Sequence, residues 1–249
     1  MAEAGAARKP SILAPIAMAA PVFAVLVGLG VWQVERLAWK EDMLARIDGR
    51  IHGAPVPLAP SSQWPALAAG DVDYTRVGVA GTYLPGKEAL IFRSTGHVEG
   101  KLAQPGYWVM APLRLADGAT LLVNRGFVGL DRKDDPRRAA TLPAGEVTVT
   151  GLLRLAETRN PFTPADNPAK GEWYTRDPLA IAAALGLERP APFSLDEDAH
   201  APAAEELPAG GATVLDIPNN HLSYALTWFG LAATLVAMLA LFLRRRARG

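Results

Sequence analysis

The metal and acid-base chemistry open to this chain runs through histidine and carboxylate, because the sequence contains four histidines and no cysteine. Without cysteine there is no thiolate to hold a metal, no disulfide staple, and no copper carriage by a Cys pair. His52, His97, His200 and His221 stand isolated in sequence, so no H-E-x-x-H spacing forms. A G-x-S-x-G elbow, a Walker loop and a G-x-G-x-x-G following a strand are also missing. Acidic clusters occur at Asp134-Asp135 and Asp196-Glu197-Asp198. Carboxylates are seldom buried, and these read as solvated loop charges. The chain is expected not to be an enzyme.

One histidine has a distinctive setting. Pro218-Asn219-Asn220-His221 immediately precedes a long uncharged run, which places His221 in the first turn of a helix with Asn220 as its N-cap. An imidazole there can offer a nitrogen lone pair as an axial ligand to haem iron. Tyr224 and Trp228 follow at i+3 and i+7 and share a helix face with it. That face could line an apolar macrocycle whose propionates reach the aqueous boundary. The same residues also suit a membrane interface, with His221 bonded to lipid headgroups and Tyr224 and Trp228 in an aromatic belt. On spacing alone the interfacial reading is favoured.

The elements that must position these residues begin with two uncharged runs, Pro10 to Val34 and Leu222 to Leu243. At about 1.5 Å per residue, each exceeds the roughly 30 Å hydrocarbon layer. Residues 10–34 and 221–243 are therefore read as transmembrane helices. A cleaved signal peptide competes for the first, with Arg8 and Lys9 as its basic start and Ala17-Met18-Ala19 as its cleavage site. The strongest apolar stretch, Val22 to Val34, lies beyond that site, which favours an uncleaved anchor. Pro15 and Pro21 are expected to bend it. Basic residues sit in tail 1–9 and in tail 244–249, where Arg244, Arg245, Arg246 and Arg248 follow the second run. The positive-inside rule puts both tails in the cytoplasm and segment 35–220 on the other side.

That segment holds 24 of the 25 acidic residues and 19 of the 25 basic ones, a charge of −5 that a translocated domain tolerates. With zero net charge overall, nothing marks a nucleic-acid partner. Arg76–Tyr83 alternates apolar and polar residues, as does Glu146–Leu155, and both read as strands. So do Ala89–Phe92, Tyr107–Leu115 and Thr120–Leu130, the last two joined by a hairpin at Ala116–Ala119. Pro178–Leu187 reads as a short helix, with Pro near its start and Gly186 near its end. His52–Gly70 and Ala199–Gly211 are rich in Pro and Ala and read as mobile surface loops. The expected architecture is a membrane protein of two transmembrane α-helices flanking a β-rich (α+β) extracytoplasmic domain. That domain is expected to be a partly closed antiparallel sheet or small barrel; barrel against sandwich stays open.

Five blocks carry a family resemblance. Gly28 to Lys40 includes Gly30-Val31-Trp32-Gln33-Val34-Glu35-Arg36 and then Trp39-Lys40. Gly81-Thr82-Tyr83-Leu84-Pro85, Val123-Asn124-Arg125-Gly126-Phe127-Val128 and Trp173-Tyr174-Thr175-Arg176-Asp177 follow in order. The last block is Asn219-Asn220-His221-Leu222-Ser223-Tyr224-Ala225-Leu226-Thr227-Trp228-Phe229. Together they resemble the surfeit locus protein 1 family.

This resemblance implies a factor for cytochrome c oxidase assembly in the inner membrane, with its main domain periplasmic in a bacterium. It implies haem a as cargo, His221 as its iron ligand, and oxidase subunit I as the partner being matured. Haem a synthase and membrane lipid are the further partners implied. Tyr224, Trp228, Trp32, Gln33 and Arg36 are the accompanying candidates for haem contact. Packing against the second helix is the role expected for Trp32 and Gln33, while Arg36 could pair with a propionate or equally with a lipid phosphate. The alternative is a haem-free scaffold for an early oxidase intermediate.

Overall fold

In the computed structural model, residues 13–96, 104–198, 207–210 and 219–248 are described. His97 and His200, and residues 199–206 and 211 of the loop expected over 199–211, lie outside them. The chain divides into a helical unit, residues 1–46 with 216–249, and a sheet unit, residues 47–215.

The helical unit is built from α1 (Leu13–Ile51) and α5 (His221–Arg248). Pro15 falls in the first turn of α1, where a missing N–H costs little, and the helix continues through Pro21. Past the uncharged run, α1 carries on as a charged helix from Glu35 to Ile51. Both helices are long and apolar enough to cross a membrane. Gly30 and Gln33 are the buried residues of α1, and Ala225 and Ala232 those of α5. Most of their apolar surface is therefore left uncovered by protein, unlike the core helix of a water-soluble domain. Three arginines occupy the last turn of α5, where cations complement the helix dipole.

In the sheet unit, β1 (Val56–Pro57) and α2 (Trp64–Ala68) precede β2 (Arg76–Tyr83) and β3 (Ala89–Gly96). Then come β4 (Gln104–Leu115), β5 (Thr120–Gly129), α3 (Arg137–Ala140) and β6 (Glu146–Arg154). β7 (Glu172–Trp173), α4 (Pro178–Ala184) and β8 (Pro190–Glu197) complete it. The eight strands lie in the order β1-β2-β6-β8-β5-β4-β3-β7. β2 also pairs with β4, through Gly81–Tyr83 against Leu113–Leu115, and this bends the sheet into a partly closed ring. Gly81 permits that closure, since a Cβ there would lie 2.7 Å from the carbonyl oxygen of Arg114. Most pairs are antiparallel, but β1–β2, β3–β7 and β5–β8 run parallel.

The alternation read along Arg76–Tyr83 is realised with Val77, Val79, Gly81 and Tyr83 inward. The turn expected at Ala116–Ala119 joins β4 to β5, with Leu115 N–H donating to the Ala119 carbonyl at 2.9 Å. α4 opens as its sequence suggests, with Asp177 accepting from the Ala180 N–H at 3.0 Å and Pro178 in the first turn. β5 is buried on both faces: Leu121 and Val123 join a core with Val79, Leu113 and Phe193, while Leu122 joins one with Ile91, Trp173 and Ile181. A strand covered on both sides reads as a continuous apolar run.

Two expectations need correction. His52–Gly70 is not simply a mobile loop, because it contains β1 and α2 and buries Trp64. The Trp64 indole donates to the Ala59 carbonyl at 2.9 Å, and its ring meets Phe193 edge-on at 5.5 Å. Asp196 is no solvated loop charge: it lies in β8 at 2% exposure.

Candidate functional site

α1 and α5 meet where Gly30 faces Phe229. A Cβ at Gly30 would lie 2.5 Å from the Phe229 ring, so the glycine makes room for the aromatic side chain. His221, Ala225, Phe229 and Ala232 recur at helical spacing along one stripe of α5. At the start of this stripe, His221 Nδ1 lies 2.7 Å from Gln33 Oε1, and Gln33 is only 8% exposed. With the side-chain carbonyl oxygen as acceptor, this contact calls for the tautomer protonated on Nδ1. That tautomer leaves the lone pair on Nε2, for which no hydrogen bond occurs among the described residues. α5 itself starts firmly, with Tyr224 N–H and Ser223 Oγ both donating to the Asn220 carbonyl, at 3.2 and 2.8 Å.

The other residues expected at this site are placed differently. Trp32 is 53% exposed and Tyr224 55% exposed, so about half of each side chain is left uncovered. Gln33 meets the second helix through its hydrogen bond to His221. The Arg36 guanidinium lies over the Trp39 ring, 3.9 Å from its centroid. Trp228, about 10 Å along α5 from His221 at 1.5 Å per residue, lines an apolar groove of about 460 Å³ with Pro21, Val22, Val25, Leu26 and Leu29 of α1. The structure therefore brings together His221 and Gln33, with Trp228 farther along the same helix.

The sheet unit holds a second constellation that sequence reasoning missed. Asp196 accepts from Asn124 Nδ2 at 3.0 Å, from Arg154 Nη1 at 3.2 Å and from Arg176 Nη2 at 3.2 Å. Arg176 is fully buried, and its guanidinium lies 4.6 Å from the Trp108 ring, over which Arg93 also lies, at 3.8 Å. Its Nε and Nη1 have no hydrogen-bond partner among the described residues. Burial pushes the Arg176 guanidinium below its ordinary pKa, against the opposing pull of Asp196. Burial by itself would raise Glu157, but its pairing with Arg93 at 2.6 Å and the Arg176 backbone N–H hold it below the usual range.

Two of the sequence blocks thus meet at one buried carboxylate, Asn124 from one and Arg176 from the other. Arg125 binds the Thr141 carbonyl at 2.9 Å. Gly126 has φ of 132°, and a Cβ there would lie 2.0 Å from the Ala209 carbonyl oxygen. These residues organise the domain's interior. The signal that could have found Asp196 was the pair of buried-type blocks, each contributing a polar residue in need of a partner. No group of three or more His, Cys, Asp or Glu able to hold a metal ion occurs among the described residues.

Two helices of membrane-crossing length that flank in sequence a partly closed ring of strands, with one histidine held at the head of the second helix, define a membrane-associated protein with a sheet-rich domain. The model of the SURF1 family matches residues 20–233, and the chain belongs to that family. It is 35% identical over 233 residues to surfeit locus protein 1 of Mus musculus, covering 89% of this chain and 74% of that protein. The human protein of the same name is 34% identical over 243 residues, covering 93% of this chain and 78% of its own. A SURF1-like protein of Caenorhabditis elegans is 32% identical over 234 residues, covering 88% and 69%.

Proposed function

We propose that this chain is a non-catalytic assembly factor for cytochrome c oxidase that holds haem a at the outer membrane edge and passes it to subunit I. The observation that carries this reading is the His221 ring at the first turn of α5, held through Nδ1 by Gln33, with no hydrogen bond to Nε2 among the described residues. The donor set suits a haem: an imidazole nitrogen with no partner among the described residues, beside helices that also form an apolar groove. Haem a is the cargo here, not a resident cofactor. His221 ligates its iron, Gln33 orients His221, and Trp228 borders the apolar groove. A site with one protein ligand binds with moderate affinity, so handover needs only a recipient that binds more tightly. Haem a synthase is the proposed supplier.

The positive-inside rule orients both tails to the cytoplasm of an inner membrane and the sheet unit to the periplasm. The second reading, a haem-free scaffold for an early oxidase intermediate, draws on the sheet unit. There Phe162 stands 93% exposed on a turn braced by hydrogen bonds from its own N–H and that of Thr163 to Asn160, as a protein-contact residue would.

The test is the visible spectrum of the full chain, purified in mild detergent from cells that make haem a, beside His221→Ala. A haem a signal lost or shifted in the variant is the expected result. Absence of haem from both, while oxidase maturation still depends on the protein, would replace the carrier with the scaffold.

A further inference from the structure

The Gln33–His221 contact has a directionality that bears on ligand strength. A histidine that binds a metal through one ring nitrogen is oriented and tuned by whatever accepts the proton on the other. Here that acceptor is a neutral amide on a different helix, 188 residues away in sequence, and nearly buried. Gln33 is one of two buried residues of α1, in a helix otherwise apolar from Leu13 to Val34. A polar side chain in that setting is expensive unless its hydrogen bond is made. Its carbonyl oxygen makes that bond with His221.

We propose that Gln33 is a positioning residue for the haem ligand. It selects the tautomer with the lone pair on Nε2 and holds the ring plane. Being uncharged, it also keeps the imidazole from acquiring the imidazolate character that a carboxylate acceptor would induce. The last property is the functional one: a carboxylate partner strengthens a histidine ligand, whereas a carrier needs a bond that can be released. This inference rests on the reading of His221 as a haem ligand. It adds that the neutrality of its partner sets how firmly the cargo is held.

The test compares full-length wild type, Gln33→Leu and Gln33→Glu in detergent, with His221→Ala as reference. In haem-free protein labelled with ¹⁵N-histidine, the His221 signal, identified by its loss in His221→Ala, should report one tautomer in wild type and a mixture in Gln33→Leu. With haem a added, Gln33→Leu should bind about 10–100-fold more weakly, the usual effect of removing such a partner. Its ferrous iron–histidine stretching frequency should fall, while in Gln33→Glu it should rise and haem dissociation should slow.

Equal tautomer populations, stretching frequencies and dissociation rates in wild type and Gln33→Leu would overturn the positioning role while leaving His221 as ligand. Haem binding unaffected by His221→Ala, or absent from wild type, would instead remove the reading on which the inference rests. The tautomer measurement does not require haem, so the two failures are distinguishable.

Discussion

His221 and Gln33 each occupy a position that would be costly alone, and together each satisfies the other. Asp196 shows the same logic at higher charge. Its side chain and that of Arg176 are 1% and 0% exposed, so water screens neither. A carboxylate surrounded by Arg154, Arg176 and Asn124 is tolerable only because every partner is present. Asp196→Ala would leave Arg176 buried without its counter-ion. Breaking a buried pair in this way typically costs about 3–5 kcal/mol. Urea unfolding followed by tryptophan fluorescence, to which Trp108 and Trp173 contribute, should show a loss of that size. Phe162→Ser serves as the control: its side chain touches little, and a shift within about 0.5 kcal/mol is expected. A small effect at Asp196 would mean that the cluster is hydrated rather than sealed.

At the scale of elements, the α1–α5 contact depends on where small residues fall. Gly30 faces Phe229, whereas Gly28, two residues earlier, has nothing within 4 Å of an added Cβ. Gly30→Leu should therefore force the aromatic ring or the helix aside, and overpacking of this kind costs about 1–3 kcal/mol. Gly28→Leu should cost nothing comparable. Unfolding in mixed micelles of mild and denaturing detergent checks the contrast, and equal midpoints for the two variants would contradict the packing described. In the sheet unit, the elements recognised from sequence are those whose pattern is local. β2 and β6 alternate, and α4 carries its cap and proline. β8 carries Pro190 and Pro192, residues that strands seldom hold, and has no simple alternating pattern. The chain tolerates them at the first residue of the strand and beside the irregular register between Thr120 and Leu122.

For the whole molecule, the distribution of charge leads to a topology. Basic residues close both ends of the chain outside the apolar runs, and the segment between carries the acidic excess. A phosphatase reporter that folds only outside the cytoplasm should be inactive when fused after Gly249 and active when fused after Gly53, just beyond α1. The reverse pattern would invert the orientation and place the His221 end of α5 at the cytoplasmic face, contrary to the proposed function.

By itself the sequence determined the two apolar helices, several of the strands and the isolation of His221 at a helix start, because these follow from composition and from periods of 3.6 and 2. The five family blocks were legible as words but not as contacts. Only the tertiary structure decided that Gln33 and His221 meet, that Asn124 and Arg176 converge on Asp196, and that Trp32 and Tyr224 remain exposed. Periodicity tells which face of an element is apolar, but it carries no information about which distant residue stands opposite. That pairing is set by the relative register of helices and strands, and register is fixed by packing.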